Sequence, residues 1–102
     1  MNMTVTTNLE GEKLTVALRG RLDTLTSRDL ETELESLLAN PDIKVLVIDM
    51  KELEYISSAG LRVMLDAART MEDKGEMIVT NLCSEVMDVF SITGFSEVFT
   101  IR

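Results

Sequence analysis

Two short alternations of apolar and polar residues open the chain. The first runs over residues 3–9, which are rich in Thr and Val, and the second over residues 14–18. Residues 10–13 between them are mostly charged and include Gly11, a composition typical of a turn. Because a period of two places every second side chain on the same face of a strand, this pattern predicts an N-terminal β-hairpin.

A helical period replaces the alternation in the next segment. Its leucines recur three or four positions apart, at Leu30, Leu34, Leu37 and Leu38. This spacing aligns apolar side chains along one helix face. Thr26, followed three residues later by Asp29, resembles a capping box in which Asp replaces the usual Glu, and it predicts the helix start. Asn40 and Pro41 predict the end, because proline cannot continue a helix.

The same spacing predicts two further helices. One begins near Ser58 and is ended by Gly75. Its apolar face comprises Leu61, Met64, Leu65, Ala68 and Met71. The other is opened by Ser84 and Glu85 and closed by Gly94. Its apolar residues are Val86, Val89 and Phe90.

The remaining apolar segments predict strands. Residues 44–50 have a continuous apolar centre and indicate a buried strand, residues 51–56 a connection, and residues 77–80 and 98–101 two more strands. The order β-β-α-β-α-β-α-β predicts the α/β class. Right-handed crossovers then give a mixed, mostly parallel sheet after the hairpin, with helices packed against it. No linker or repeat divides the chain, so we expect one compact domain over residues 1–102.

The composition fits a globular protein of 102 residues, with 45% hydrophobic and 27% charged residues. The longest apolar run, residues 45–48, is far shorter than the roughly 20 residues of a spanning helix, so we expect no membrane insertion. The N-terminal stretch lacks the basic and apolar regions of an export signal. Cys83 is the only cysteine and excludes an intrachain disulfide, which favours the cytoplasm.

The net charge and the missing residue types argue against several classes of function. The net charge is −8, which opposes binding to nucleic-acid phosphates, so a protein partner or a small ligand is expected. The chain has no histidine and a single cysteine. The usual general base and the commonest ligands of transition metals are therefore missing, and we expect neither enzyme activity nor a metal or other cofactor.

Two loops at carboxyl ends of predicted strands are the candidate sites, because function collects there in open α/β sheets. They are residues 20–24 and residues 49–60. The second ends at a helix start whose free backbone N–H groups and dipole can hold a phosphate on Ser57 or Ser58. The spacing alone favours the interpretation of these serines as N-caps, and Asp23 could equally cap the turn at residues 25–27.

Residues 49–61, DMKELEYISSAGL, resemble the signature of the STAS family, which sulphate transporters and anti-sigma-factor antagonists share. Residues 20–23, GRLD, resemble the other marker of this family. The resemblance covers nearly the whole chain and implies a compact domain with a mixed sheet. The lack of a membrane span favours a stand-alone bacterial anti-sigma-factor antagonist over the transporter branch.

The resemblance also implies a mechanism. In such antagonists the serine that aligns with Ser58 is phosphorylated by a partner that is both anti-sigma factor and ATP-dependent serine kinase. The unphosphorylated form binds this partner and releases the sigma factor, and a PP2C-type phosphatase restores it. The implied partner-binding residues are Asp23, Thr24, Ser57, Ser58, Ala59, Gly60 and Arg62. Ser57 is the second candidate acceptor. We expect a monomer or a weak dimer.

Several alternatives stay open at this stage. Gly60 either allows a close backbone approach or is only a tolerated helix residue. Arg62 is interpreted as a solvated arginine, although its position four residues after Ser58 would also let it pair with a phosphate there. Asp49 is expected to hold the loop after the buried strand. Two other functions remain: a non-switching STAS subunit of a membrane transport complex, and a hydrolase with Ser58 as nucleophile.

Overall fold

The computed structural model describes residues 3–102; the first two residues of the N-terminal stretch lie outside this part. The described elements follow the predicted order. They are β1 (Met3–Glu10), β2 (Lys13–Leu22), α1 (Thr24–Leu38), β3 (Val45–Ile56), α2 (Ser58–Glu72), β4 (Glu76–Thr80), α3 (Ser84–Ile92), a 3₁₀ turn (Phe95–Glu97) and β5 (Thr100–Ile101). None of the helices within residues 3–102 is both long and apolar enough to cross a membrane.

The strands form one sheet in the order β1-β2-β3-β4-β5. β1 and β2 pair as the predicted antiparallel hairpin, and the remaining neighbours are parallel. Alternate side chains of the central strands are fully buried, whereas those between them, such as Thr15 and Val47, are half-buried. The buried set continues into the helices through Leu30, Met64 and Phe90, so the core lies between the sheet and the helices. The prediction of an α/β fold with a mixed sheet is confirmed.

β3 is longer than predicted, and the expected connection at residues 51–56 is wrong. The strand runs to Ile56, and Leu53 and Ile56 are buried in the core. β2 extends to Leu22 and supplies the pairing partner, with Leu22 opposite Ile56. The β2–β3 register shifts twice on the way, which interrupts the alternation that marks a strand in the sequence.

α1 begins at Thr24, and the predicted capping box of Thr26 with Asp29 is wrong. The N-cap is Asp23, whose Oδ1 accepts hydrogen bonds from the N–H groups of Leu25 at 3.0 Å and Thr26 at 2.9 Å. In return, the Thr26 hydroxyl accepts from the Asp23 N–H at 2.9 Å. The interpretation of Asp23 as a local cap is therefore confirmed, and Asp29 is an exposed residue of the helix.

Of the two predicted helix stops, Gly94 is confirmed and Gly75 is wrong. Gly94, after α3, has φ +80°, the left-handed conformation that ends helices. α2 already ends at Glu72, and Gly75 has no positive φ. A β-carbon on Gly75 would collide with the carbonyl oxygen of Lys44. Gly75 is therefore required for the close passage of the α2–β4 connection beside the start of β3.

Candidate functional site

The two candidate loops meet at the carboxyl edge of the sheet. Arg21 pairs with Tyr55 in the β2–β3 ladder, and its guanidinium carbon lies 4.2 Å from the centre of the Tyr55 ring. One residue beyond the ladder, the Ser57 N–H donates to the carbonyl oxygen of Leu22 at 2.9 Å. The starts of α1 and α2 are thus fixed relative to one another by backbone pairing.

Thr26 reinforces the start of α1. Its side chain is buried, and its hydroxyl lies 2.8 Å from the carbonyl oxygen of Arg21, to which it donates. The capping box therefore holds the turn between β2 and α1 as well as the first turn of the helix. Thr24, the first residue of α1, is exposed beside this cap.

The two serines at the start of α2 have different roles. Ser57 is the N-cap: its hydroxyl accepts from the Gly60 N–H at 3.2 Å, and its side chain is half-buried. Ser58 is the first helical residue and is exposed. Within residues 3–102, the Ser58 hydroxyl makes no hydrogen bond. The interpretation of Ser57 as a cap is confirmed, and Ser58 is not a cap.

Gly60 allows a close approach of α2 to the end of β2. A β-carbon at this position would lie 2.8 Å from Cγ and Cδ2 of Leu22 and 2.9 Å from Cγ1 of Ile56. Real β-carbons do not come this close to neighbouring heavy atoms. Of the two alternatives for Gly60, the close approach is therefore correct. Gly60 itself is buried, whereas Ala59 beside it is half-buried.

Asp49 holds a different loop from the one expected. Its Oδ1 accepts from the Lys51 N–H at 3.0 Å, at the place where the β2–β3 register shifts. The same oxygen accepts from Nδ2 of Asn81 at 3.1 Å. Asn81 follows β4 and has φ +62°, so Asp49 stabilises the turn that leads towards α3. The bond to the Lys51 N–H lies within β3, because the segment directly after Asp49 continues as a strand and not as the expected loop.

A cleft of about 330 Å³ lies between the first turns of α1 and α2. It is lined by Thr24, Ser27, Arg28, Glu31, Ala59, Arg62, Val63 and Asp66. Arg28 and Arg62 are both exposed, and within residues 3–102 neither forms an ion pair. Arg28 and Ser27 were missed at the sequence level, because only the packing of α1 against α2 brings them to the candidate site.

The site offers positive electrostatic groups and an exposed hydroxyl. The N–H groups of Ser58 and Ala59 have no acceptor within the described residues, as is usual in a first helical turn. Together with the two arginines of the cleft they favour a negatively charged group near Ser58. No three His, Cys, Asp or Glu side chains within residues 3–102 are grouped as metal ligands would be.

Known proteins of similar sequence support one family. The family model of the STAS domain matches residues 1–102. BtrV of Bordetella bronchiseptica, by its name a candidate anti-sigma factor antagonist, is 36% identical over 89 residues, which cover 86% of this chain and 76% of BtrV. The anti-sigma-B factor antagonist of Listeria monocytogenes is 27% identical over 92 residues, which cover 89% of this chain and 80% of that protein.

Solved structures agree with this fold. SpoIIAA, an anti-sigma factor antagonist, matches in its unphosphorylated form with a TM-score of 0.85 and 18% identity, over 97% of this chain and 88% of SpoIIAA. The phosphorylated form of Bacillus SpoIIAA matches with a TM-score of 0.76 and 17% identity, over 97% of this chain and 91% of that chain. The family match over the whole chain, the relatives and the shared fold lead to one conclusion: this protein belongs to the STAS domain family.

Proposed function

We propose that this protein is an anti-sigma-factor antagonist whose binding to its partner is switched off by phosphorylation of Ser58. The observation that carries the proposal is the Ser58 hydroxyl on the first residue of α2 in a STAS domain, which is exposed and makes no hydrogen bond within residues 3–102. The names of the relatives support the antagonist function, and the existence of a phosphorylated SpoIIAA structure supports the switch.

Local geometry favours Ser58 over Ser57 as the acceptor. The Ser57 hydroxyl is half-buried and caps the Gly60 N–H, so a kinase would have to break this bond and loosen the first turn of α2. A phosphate on Ser58 leaves the cap in place. It also lies at the positive end of the helix dipole, where a dianion is stabilised.

The proposed partner surface comprises Asp23, Thr24, Ser57, Ser58, Ala59, Gly60 and Arg62. The exposed members, Thr24, Ser58 and Arg62, lie on the starts of the two helices that the Ser57–Leu22 hydrogen bond connects. Gly60 is buried, so it contributes by allowing the two helix starts to approach, without a side-chain contact of its own.

A phosphate would act on this surface through charge. Phosphoserine adds about −1.5 to −2 charges at neutral pH, at a place where the unmodified protein offers an uncharged hydroxyl. An interface formed around that hydroxyl would have to desolvate the new dianion, which is costly unless the partner supplies a matching cation. The proposed partner is an anti-sigma factor that is also an ATP-dependent serine kinase, and a PP2C-type phosphatase would restore the hydroxyl.

In this proposal the chain is a binding module and a kinase substrate, with no catalytic residue of its own. The absence of histidine from the sequence and of any hydrogen-bonded base beside Ser58 within residues 3–102 supports it. A nucleophilic serine needs such a base to take its proton.

Phosphorylation mapping tests the acceptor. The protein is incubated with ATP and the anti-sigma-factor kinase from its own genome, and the modified residue is located by mass spectrometry. We expect one phosphate, on Ser58, which the Ser58→Ala variant does not receive and the Ser57→Ala variant does. An unmodified protein, or phosphate on another residue, would contradict the proposal.

A binding measurement tests the switch. We expect the Ser58→Asp variant to bind the same kinase at least tenfold more weakly than the parent protein, and Ser58→Ala to bind like the parent. Glu72→Gln, which changes an exposed carboxylate at the far end of α2, is the matched control and should leave the affinity unchanged. Undiminished binding of Ser58→Asp would favour the non-switching type of STAS subunit.

A further inference from the structure

The cleft between α1 and α2 has the composition of a receptor for a phosphate group. Arg28 enters it from α1 and Arg62 from α2, so two guanidinium groups line a space of about 330 Å³. Guanidinium groups bind phosphate oxygens through paired N–H donors. Both arginines are exposed and keep their freedom to turn towards a ligand, because neither forms an ion pair within residues 3–102.

Two carboxylates, Glu31 and Asp66, also line the cleft, and within residues 3–102 neither forms an ion pair with Arg28 or Arg62. Glu31 lines the cleft from α1, but within residues 3–102 it forms no ion pair. Asp66 lines it from α2, and its nearest guanidinium is that of Arg69, at 3.8 Å, one turn further along the helix. The positive charge of Arg28 and Arg62 is therefore available at the end of the cleft nearest to the start of α2.

Ser27 gives a second, independent indication of a ligand. It lines the cleft, only 2% of its surface is exposed, and its hydroxyl oxygen is the one buried side-chain polar atom within residues 3–102 without a hydrogen-bond partner. Such groups are rare in native proteins, because burial without a partner costs about 1–3 kcal/mol. This oxygen is closed to solvent in the unmodified protein, so a phosphate would supply the missing partner once the Ser27 side chain turns towards the cleft.

Ser58 lies next to this cleft, so a phosphate on its hydroxyl could reach it. It directly precedes Ala59, which lines the cleft, and it lies four residues before Arg62 on the same helix. Side chains at this spacing are neighbours, with β-carbons about 5–6 Å apart. We propose that the phosphate on Ser58 folds into the cleft and is held within the same chain by Arg62 and Arg28. This inference rests on Ser58 as the phosphate acceptor.

This intramolecular binding of the phosphate by Arg28 and Arg62 changes the surface that the protein offers to its partner. In the unmodified protein, the cleft offers two cations beside a neutral hydroxyl, and neither cation forms an ion pair within residues 3–102. In the phosphorylated protein, the phosphate engages both guanidinium groups, so any partner carboxylate that they bound loses its cations. Phosphorylation would then weaken binding in two ways, by adding negative charge and by withdrawing Arg28 and Arg62 from the interface.

The test uses protein that carries phosphoserine at position 58 by insertion during synthesis, so that no kinase is needed. The pKa of the phosphate is measured by ³¹P NMR titration in the parent protein and in Arg62→Ala, Arg28→Ala and the double variant. Nearby cations favour the dianion and lower its pKa. We expect each single variant to raise this pKa by about half a unit and the double variant by about one unit.

Lys44→Ala is the matched control. It removes one positive charge just before β3, at the opposite end of that strand from Ser57 and Ser58, and should leave the phosphate pKa unchanged. In the same samples, the ¹⁵N shifts of the Nε–H groups of Arg28 and Arg62 should move on phosphorylation. An unchanged phosphate pKa in both single variants, together with unmoved arginine signals, would contradict the proposal that Arg28 and Arg62 hold the phosphate. That result would leave the kinase mapping of Ser58 untouched, since the two experiments are independent.

Discussion

Gly60 and Leu22 are in such close contact that no side chain fits between them: a β-carbon on Gly60 would lie 2.8 Å from Cγ of Leu22. Leu22 is the last residue of β2, and Gly60 lies in the first turn of α2. The contact thus joins the two sequence segments that resemble the family markers. Ser58, the proposed phosphate acceptor, lies two residues before Gly60, which this contact holds in place.

Gly60→Ala should destabilise the protein, although alanine is the better helix former. The added methyl group meets Leu22 and Ile56, which are both buried and have little room to move. Overpacking of this kind costs about 1–3 kcal/mol, and improved helix propensity offsets at most about 1 kcal/mol. Urea unfolding should therefore show a loss of about 1–2 kcal/mol. A free energy of unfolding equal to that of the parent would mean that α2 can move away from β2 without cost.

Gly75→Ala should be the more damaging glycine substitution. Its β-carbon would collide with the carbonyl oxygen of Lys44, which also accepts a hydrogen bond from the Glu76 N–H at 3.0 Å. Backbone cannot turn aside as a side chain can, so we expect a loss of at least about 3 kcal/mol in the free energy of unfolding.

Gly11→Ala is the control for Gly75→Ala. It distinguishes the steric collision at position 75 from the loss of a glycine's conformational freedom. Gly11 has φ +61°, but no atom of residues 3–102 lies within 4 Å of an added β-carbon, so its substitution should cost only about 1–2 kcal/mol of backbone strain. Equal losses at positions 11 and 75 would argue against the close passage at Lys44.

Substitutions of Ser57 and Ser58 should have different effects on the free energy of unfolding. Ser57→Ala removes the cap of the Gly60 N–H and should cost about 1 kcal/mol, whereas Ser57→Asp keeps an acceptor and should retain most of that stability. Ser58→Ala changes an exposed side chain without a hydrogen bond within residues 3–102, so it should stay within about 0.5 kcal/mol of the parent. The opposite ranking would reverse the assignment of the cap.

Asp23 has a structural role that can be measured apart from partner binding. Asp23→Ala removes the acceptor for the Leu25 and Thr26 N–H groups and should cost about 1–2 kcal/mol, whereas Asp23→Asn keeps one. Asp29→Ala is the control, because Asp29 is exposed and lies outside the capping box; it should change stability by less than about 0.5 kcal/mol. If Asp23→Asn is stable yet binds the kinase poorly, the carboxylate charge belongs to the partner surface.

Local patterns determined the order and type of the elements. The leucine spacing of α1, the apolar face of α2 and the alternation of β1 and β2 each reflect a side chain's position relative to its near neighbours in the chain. Gly94 marked a helix end for an equally local reason, its left-handed backbone. The Ser57-Ser58 pair could be placed at a helix start, but two adjacent serines offer the same capping chemistry, so the sequence left the choice between them open.

Only the tertiary structure decided which serine is the cap, how far β3 extends and what surrounds Ser58. β3 reaches Ile56 because Leu22 pairs with it across a shifted register, a partner more than 30 positions away in the chain. Arg28 comes beside Arg62 because α1 packs against α2, and no local pattern encodes that contact. The family resemblance located Ser58 in the sequence. Its exposure follows from how distant segments pack, and so does the position near it of two arginines that form no ion pair within the described residues.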